Sequence, residues 1–295
     1  WIGLVWTALV VTVAAWLITE HLQDHRAVLL QTSEHRLHSL TDTLDVTFEQ
    51  LDALPRALSR QNSIQEFLKR SHVPNSAELT EADRQHTQAA LRQQPDVIKI
   101  SAVLRETTHD FHLNDIFLLD RFGTVVADSR LAQSVNVLGA NFKTRTYFTE
   151  ALDGGSGSQF AVGRITKIPG FYFATRVSAD NELLGVVAVK QEPAALSRLM
   201  DDPQRRLLVT DPQGVILMSN QSSDLLGRSP LQGPIRMEPE QAKRLYMRTL
   251  QDLPWTLGQV HVRGQTVMQV RIGGQLFMAQ SQPMAYGQLT AWTLA

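Results

Sequence analysis

The chain has 295 residues, a formal net charge of −1 and no cysteine. The near-neutral charge gives no electrostatic footprint for nucleic acid, and the missing thiols exclude disulfides, thiolate metal sites and a cysteine nucleophile. The length predicts two ordinary domains once a helical N-terminal part is set aside.

Nothing from Trp1 to Thr19 carries a charge, and about 19 residues at ~1.5 Å rise cover a ~30 Å hydrocarbon core, so residues 1–19 read as a transmembrane helix. Beyond Glu20 the composition turns polar while Leu30, Leu37, Leu44, Leu51 and Leu58 keep a heptad spacing, which predicts a stalk helix continuous with the span. This leucine seam reads equally as a homodimer contact or as the face on which the chain packs its own domains. Pro55 is expected to bend the last turns or to start a fresh helix. The stalk and a helical connection, broken near Pro74, Asn75 and Ser76, extend to residue 96. A further amphipathic helix is predicted from Val97 to Phe111.

Two β-rich modules follow, 97–200 and 201–295. In the first, Ile116 to Leu119 meets the turn Asp120-Arg121-Phe122-Gly123 and returns as Thr124 to Asp128. In the second, Leu207 to Thr210 meets Asp211-Pro212-Gln213-Gly214 and returns as Val215 to Ser219. Each copy closes on a Leu-Gly pair, Leu138-Gly139 and Leu226-Gly227, so one module is repeated. Asp and Gly in these turns have structural roles. The first module continues with a short helical run over Asn141 to Leu152, then strands over Gln159 to Thr166, Phe171 to Val177 and Leu183 to Lys190 in an antiparallel meander. The second continues with strands near 255–262, 267–272, 275–282 and 289–294, with Gly273-Gly274 marking a tight hairpin.

Catalytic signatures are missing: there is no Gly-x-Ser-x-Gly, no phosphate-cradling Gly-Lys-Ser/Thr loop and no His-Glu-x-x-His. The chain itself is therefore read as non-enzymatic, with no cofactor and no metal; His109 and His112 read as a solvated helix end. What remains is a cationic and aromatic set of Arg145, Tyr147, Tyr172 and Lys190. Arg145 and Tyr147 would diverge on a helix, so both reach one ligand only if this stretch is extended and the helix starts near Tyr147. Lys190 ends a strand that is apolar from Leu183 to Val189, an odd place for an ammonium unless it meets an anion or solvent. Spacing alone leaves ligand binding and surface pairing with acids both open.

The order Asn141-Phe142-Lys143-Thr144-Arg145-Thr146-Tyr147-Phe148, Gly163, Pro169-Gly170-Phe171-Tyr172-Phe173 and Gly185 through Lys190 resembles the membrane-distal half of double Cache sensor domains. Within that group it is most similar to bacterial C4-dicarboxylate sensor histidine kinases, and the similarity runs on through Val209-Thr210-Asp211 to Trp292-Thr293-Leu294. The resemblance implies an α+β fold of two tandem PAS-like antiparallel-sheet modules on the long helix. It implies that Arg145, Tyr147 and Lys190 hold a ligand carboxylate. Where dicarboxylate sensors carry paired hydroxyl residues after the glycine, this chain has Arg164 and Ile165 with Thr166 one step later, so the identity of the anion is not inherited.

The expectation is an extracytoplasmic sensor region, on the periplasmic side of a bacterial inner membrane, that binds a small organic anion. The chain is expected to be a piece of a longer protein, with a second span and a cytoplasmic output domain beyond Ala295. That output is a histidine kinase, with a diguanylate cyclase or chemoreceptor as alternatives. A membrane-tethered solute-binding or assembly protein is the rival from another class. The second module is expected to relay rather than bind.

Overall fold

The computed structural model describes residues 2–71, 73, 83–233 and 237–295, and for 2–5, 8 and 244 the backbone alone. It divides into two compact units, one of Trp1–Asp45, Ser197–Met237 and Leu250–Ala295, the other of Val46–Leu196 and Glu238–Thr249.

One helix, α1, runs over Ile2–Ser59 and contributes to both units. Its early part carries large apolar side chains in the open, among them Trp6, Val11 and Trp16. Among the described residues no helix is long and apolar enough to cross a membrane. The span read over 1–19 includes side chains outside the described residues. From Leu37 onward the leucine seam faces inward: Leu37, Leu44, Leu51 and Leu58 are buried within the single chain, with Leu40 and Phe48 beside them, while Leu30 is half-buried. Internal packing, rather than a leucine dimer contact, occupies that face. Of the two outcomes expected at Pro55, the fresh helix is not the one found, because α1 continues through it to Ser59. A proline this close to a helix end costs only one ladder bond.

The second unit holds α2 (Asn62–Arg70), α3 (Arg84–Arg92) and α4 (Pro95–Asp110), then β1 (Asp115–Asp120), β2 (Val125–Asp128), α5 (Thr146–Gly154), β3 (Ser156–Val162), β4 (Pro169–Ala179), β5 (Glu182–Gln191) and α6 (Pro193–Leu196). The break expected at residues 74–76 lies outside the described residues. The helical run expected from Asn141 starts later, at Thr146, because Asn141 is bridged to Thr124, Lys143 and Thr144 form a turn and Arg145 is extended. The sheet order is β2-β1-β5-β4-β3, every neighbour antiparallel. Asp180 and Asn181 both have positive φ in the β4–β5 hairpin, matching the handedness of twisted strands.

This sheet is buried on both faces, which is why β1 and β5 read as continuous apolar runs rather than alternating ones. Ile116, Leu118, Val187 and Val189 pack with Leu58, Leu68, Val97 and Leu104 on one face. Phe117, Leu119, Val186 and Ala188 pack with Tyr147, Phe148 and Phe142 on the other. Strand parity then fixes the direction of Lys190, which follows Val186 and Ala188 onto the second face.

The first unit completes its own sheet from β6 (Arg206–Thr210), β7 (Ile216–Ser219), β10 (Thr256–Val262), β11 (Gln265–Ile272), β12 (Gln275–Pro283) and β13 (Thr290–Leu294), with a short parallel pair of β8 (Gly227–Arg228) and β9 (Gln251–Asp252) beside it. Its order, β10-β11-β12-β13-β6-β7, repeats the first sheet's order with one strand added. The repeat extends to detail. Asp120 Oδ1 accepts the Phe122 and Thr124 N–H groups at 3.0 and 2.9 Å, and Asp211 Oδ1 accepts those of Gln213 and Val215 at 2.9 Å each. Gly123 and Gly214 supply the positive φ that each turn needs. Asp120→Ala strips acceptors from two N–H groups, one of them buried, so a loss of about 1–3 kcal/mol by urea denaturation is expected, with anion binding unaffected. Both aspartates are structural.

One helix, α7 (Pro239–Tyr246), had no counterpart in the sequence reading. Tyr246 meets Phe160 of β3, with ring centroids 6.4 Å apart.

Candidate functional site

Arg145, Tyr147, Arg164, Thr166, Tyr172 and Lys190 all line one cavity in the unit of the first sheet. The register builds its floor. Lys190 on β5 lies opposite Tyr172 on β4 and opposite Asp115 on β1, so three polar side chains sit in one row across the sheet. Arg145 is the N-cap of α5 with extended backbone, φ −83° and ψ 134°, and the helix begins at Thr146. The extended-then-helical geometry that lets Arg145 and Tyr147 converge is therefore present.

Each cation has a local partner. Arg145 donates Nη2 to the Val162 carbonyl at 2.9 Å and is buried. Lys190 donates Nζ to Glu192 Oε1 at 2.7 Å, with its own side chain only 2% exposed. Burial pulls the Lys190 ammonium below its ordinary pKa, and the Glu192 carboxylate opposes that pull. Arg164 lies 5.1 Å over the Phe142 ring and donates to the Asn141 carbonyl, so it turns inward against the cavity wall. Tyr147 and Tyr172 stack with centroids 5.1 Å apart and planes 6° apart. Burial pushes both phenols well above their ordinary pKa, which keeps them as neutral O–H donors.

Two glycines make room for these groups. A Cβ on Gly170 would sit 2.6 Å from Lys190 Cε, and one on Gly163 would sit 2.3 Å from Thr166 Oγ1 and 3.4 Å from the Tyr172 hydroxyl. Gly170→Ala should push the flexible lysine stem aside without unfolding the strand. The expected result is an unchanged circular dichroism spectrum with loss of most anion affinity; retained affinity would mean that Lys190 takes no part in binding.

Two lining residues were missed by sequence reasoning, Asp115 and Arg130. Arg130 Nη2 lies 2.8 Å from Asp115 Oδ2, close enough for an ion pair, yet its N–H groups do not point along the contact and no hydrogen bond forms there. Asp115 Oδ1 accepts the Ser129 hydroxyl at 2.7 Å. Desolvation and then the nearby Asp128 push the Asp115 carboxyl well above its usual range, against the pull of Arg130. The cavity thus gathers four cations, Arg130, Arg145, Arg164 and Lys190, around one carboxylate. Its free space is about 10 Å³, roughly the room of one oxygen-sized group. Arg145 and Arg164 also line an open groove of about 910 Å³ bounded by Glu240, Lys243 and Met247 of the α7 segment, so the two spaces share these residues.

The first unit offers no comparable set among its described residues. Its groove of about 450 Å³, between α1 and the strands β10 to β12, holds Glu34 and Arg263 as its charged groups. Arg263 is paired with Asp24, and Arg206 elsewhere is held by Asp224 through two bonds of 2.6 and 2.7 Å.

No family model matches the chain. It is 33% identical over 105 residues to the C4-dicarboxylate transport sensor protein DctB of Pseudomonas aeruginosa, a stretch covering 36% of this chain and 17% of that protein. Against the Rhizobium meliloti protein of the same name it is 28% identical over 126 residues, 43% of this chain and 20% of the relative. The matched stretches thus span about one fifth of these relatives' length. Among solved structures, the sensor domain of the Vibrio cholerae histidine kinase DctB matches with a TM-score of 0.71 at 20% identity, covering 91% of this chain and 97% of that one. The ligand-binding domain of the Campylobacter jejuni chemoreceptor Tlp3, in complex with L-valine, matches with a TM-score of 0.54 at 13% identity, covering 92% and 93%. The α+β, double Cache fold expected from the sequence is borne out.

Proposed function

We propose that this chain, a sensor domain of double Cache fold, is the extracytoplasmic ligand-sensing part of a transmembrane receptor and binds a small carboxylate between Arg145, Tyr147 and Lys190. The observation that carries the reading is the convergence of four cations and two neutral phenols on one buried cavity. An anion entering it replaces water and gains charge-assisted bonds from groups already aimed inward. The curated relatives are C4-dicarboxylate transport sensor proteins, which supports a carboxylate ligand and a sensor histidine kinase output. The same reading places the region on the periplasmic side of an inner membrane, anchored by the apolar start of α1. It includes a homodimer through the stalk, with the buried leucines excluded from the contact surface. The sheet of β6 to β13 relays and does not bind.

A chemoreceptor output is the second reading, favoured by the likeness of fold to the Tlp3 ligand-binding domain. Differential scanning fluorimetry with mono-, di- and tricarboxylates, amino acids and phosphate tests the ligand class. Stabilisation by carboxylates alone is the expected result. Stabilisation by neutral or cationic compounds alone would sink the carboxylate assignment.

A further inference from the structure

The Arg130–Asp115 pair has an unusual balance of spent and unspent bonding capacity. Asp115 is 1% exposed, and its Oδ2 touches Arg130 at 2.8 Å without a hydrogen bond. Arg130 Nε and Nη2 are likewise buried without a hydrogen-bond partner. Buried polar atoms in this condition are costly, and one group that joined both the donors and the acceptor would relieve that cost.

The charges restrict what that group is. A second ligand carboxylate would gain from Arg130 but would face two neighbouring acids, Asp115 and Asp128, and a ligand ammonium would gain from Asp115 but would face Arg130. A hydroxyl meets neither penalty: its oxygen accepts from the guanidinium while its hydrogen is donated to Oδ2. Position agrees, since Asp115 lies directly across from Lys190 in the β1–β5 register, one strand from the proposed carboxylate site.

We propose that Arg130 and Asp115 read a hydroxyl group on the bound carboxylate, so that the ligand class is the hydroxycarboxylates. This rests on the carboxylate reading above. The signature is discrimination against the otherwise identical acid lacking the hydroxyl, because that acid leaves the pair buried and incomplete.

Isothermal titration of matched acids tests it: L-malate against succinate, lactate against propanoate, and 3-hydroxybutyrate against butyrate. In the unsubstituted protein the hydroxy acid of at least one pair is expected to bind about tenfold more tightly or better than its deoxy partner. With Asp115→Ala the acceptor is gone and Arg130 is uncompensated, so succinate should gain and the malate-to-succinate ratio should fall to about threefold or less. Should every deoxy acid bind the unsubstituted protein as tightly as its hydroxy partner, the hydroxyl assignment is overturned while the carboxylate site stands, whatever the folding of the variant. If none of the six acids binds, the hydroxyl assignment falls, and the fluorimetry screen with tricarboxylates and amino acids decides the carboxylate reading separately. Unchanged discrimination in a folded Asp115→Ala protein would also remove this pair from the recognition.

Discussion

Leu44→Glu is expected to unfold the protein rather than to dissociate it. Leu44 is completely buried on the inward stripe of α1, between Leu40 and Phe48, which are also buried. A carboxylate placed there loses the leucine's packing and gains no partner, a combination that costs about 4 kcal/mol or more. That is a large share of the roughly 5–15 kcal/mol that holds a typical domain folded. Val46, two residues along and 53% exposed, is the control, and Val46→Glu should leave the transition within about 0.5 kcal/mol of the original. The measurement is urea denaturation followed by circular dichroism. A Leu44→Glu protein that keeps its midpoint and merely sediments as a smaller species would mean that the leucine seam is an intermolecular contact after all.

Lys190→Met and Arg145→Ala are expected to lower carboxylate affinity by roughly ten- to a hundredfold each. A charge-assisted hydrogen bond contributes about 1.5–3 kcal/mol, a large share of the ~8 kcal/mol behind a micromolar ligand. The empty protein should lose some stability in both variants. Clustered cations taken alone would give the opposite sign, since they repel and removing one would help. The structure reverses that sign, because Lys190 is held by Glu192 and Arg145 by the Val162 carbonyl. Removing either cation leaves a partner unsatisfied, at about 1–3 kcal/mol where that partner is buried. Met at position 190 keeps an unbranched stem alongside Gly170, so the charge is the main loss. Unchanged affinity in both variants would leave these residues with a structural role only.

The parts of this fold that were legible in the sequence are those set by local chemistry. Asp-x-x-Gly between apolar runs specified the same capped turn at Asp120 and at Asp211, and the repeat it marked recurs in the order of both sheets. The set of Arg145, Tyr147 and Lys190 was legible as residue types, and the condition that Arg145 be extended proved to be the geometry found. What depends on register was not legible. Asp115 joins the site only because β1 pairs with β5 so that Asp115 meets Lys190, and no local signal fixes that alignment. Arg130 lies on the loop after β2, and no periodicity in the sequence indicates that this loop brings it to Asp115. Glu192 was within reach of sequence reasoning, since residues two apart on an extended chain share a face and an acid there is the natural partner of Lys190. The α7 helix carries a start signal in Pro239 behind Glu238, yet its polar run gave no indication that Tyr246 meets Phe160 of β3.

The central claim is that a carboxylate occupies the cavity of the first sheet. The most direct measurement is a crystal structure of the protein grown with the carboxylate that stabilises it most. The account predicts a carboxylate within hydrogen-bonding distance of Arg145, Tyr147 and Lys190, with the cavity enlarged beyond its present ~10 Å³. A ligand seated instead in the groove between α1 and β10 to β12, with the Arg145 cavity unchanged, would contradict it.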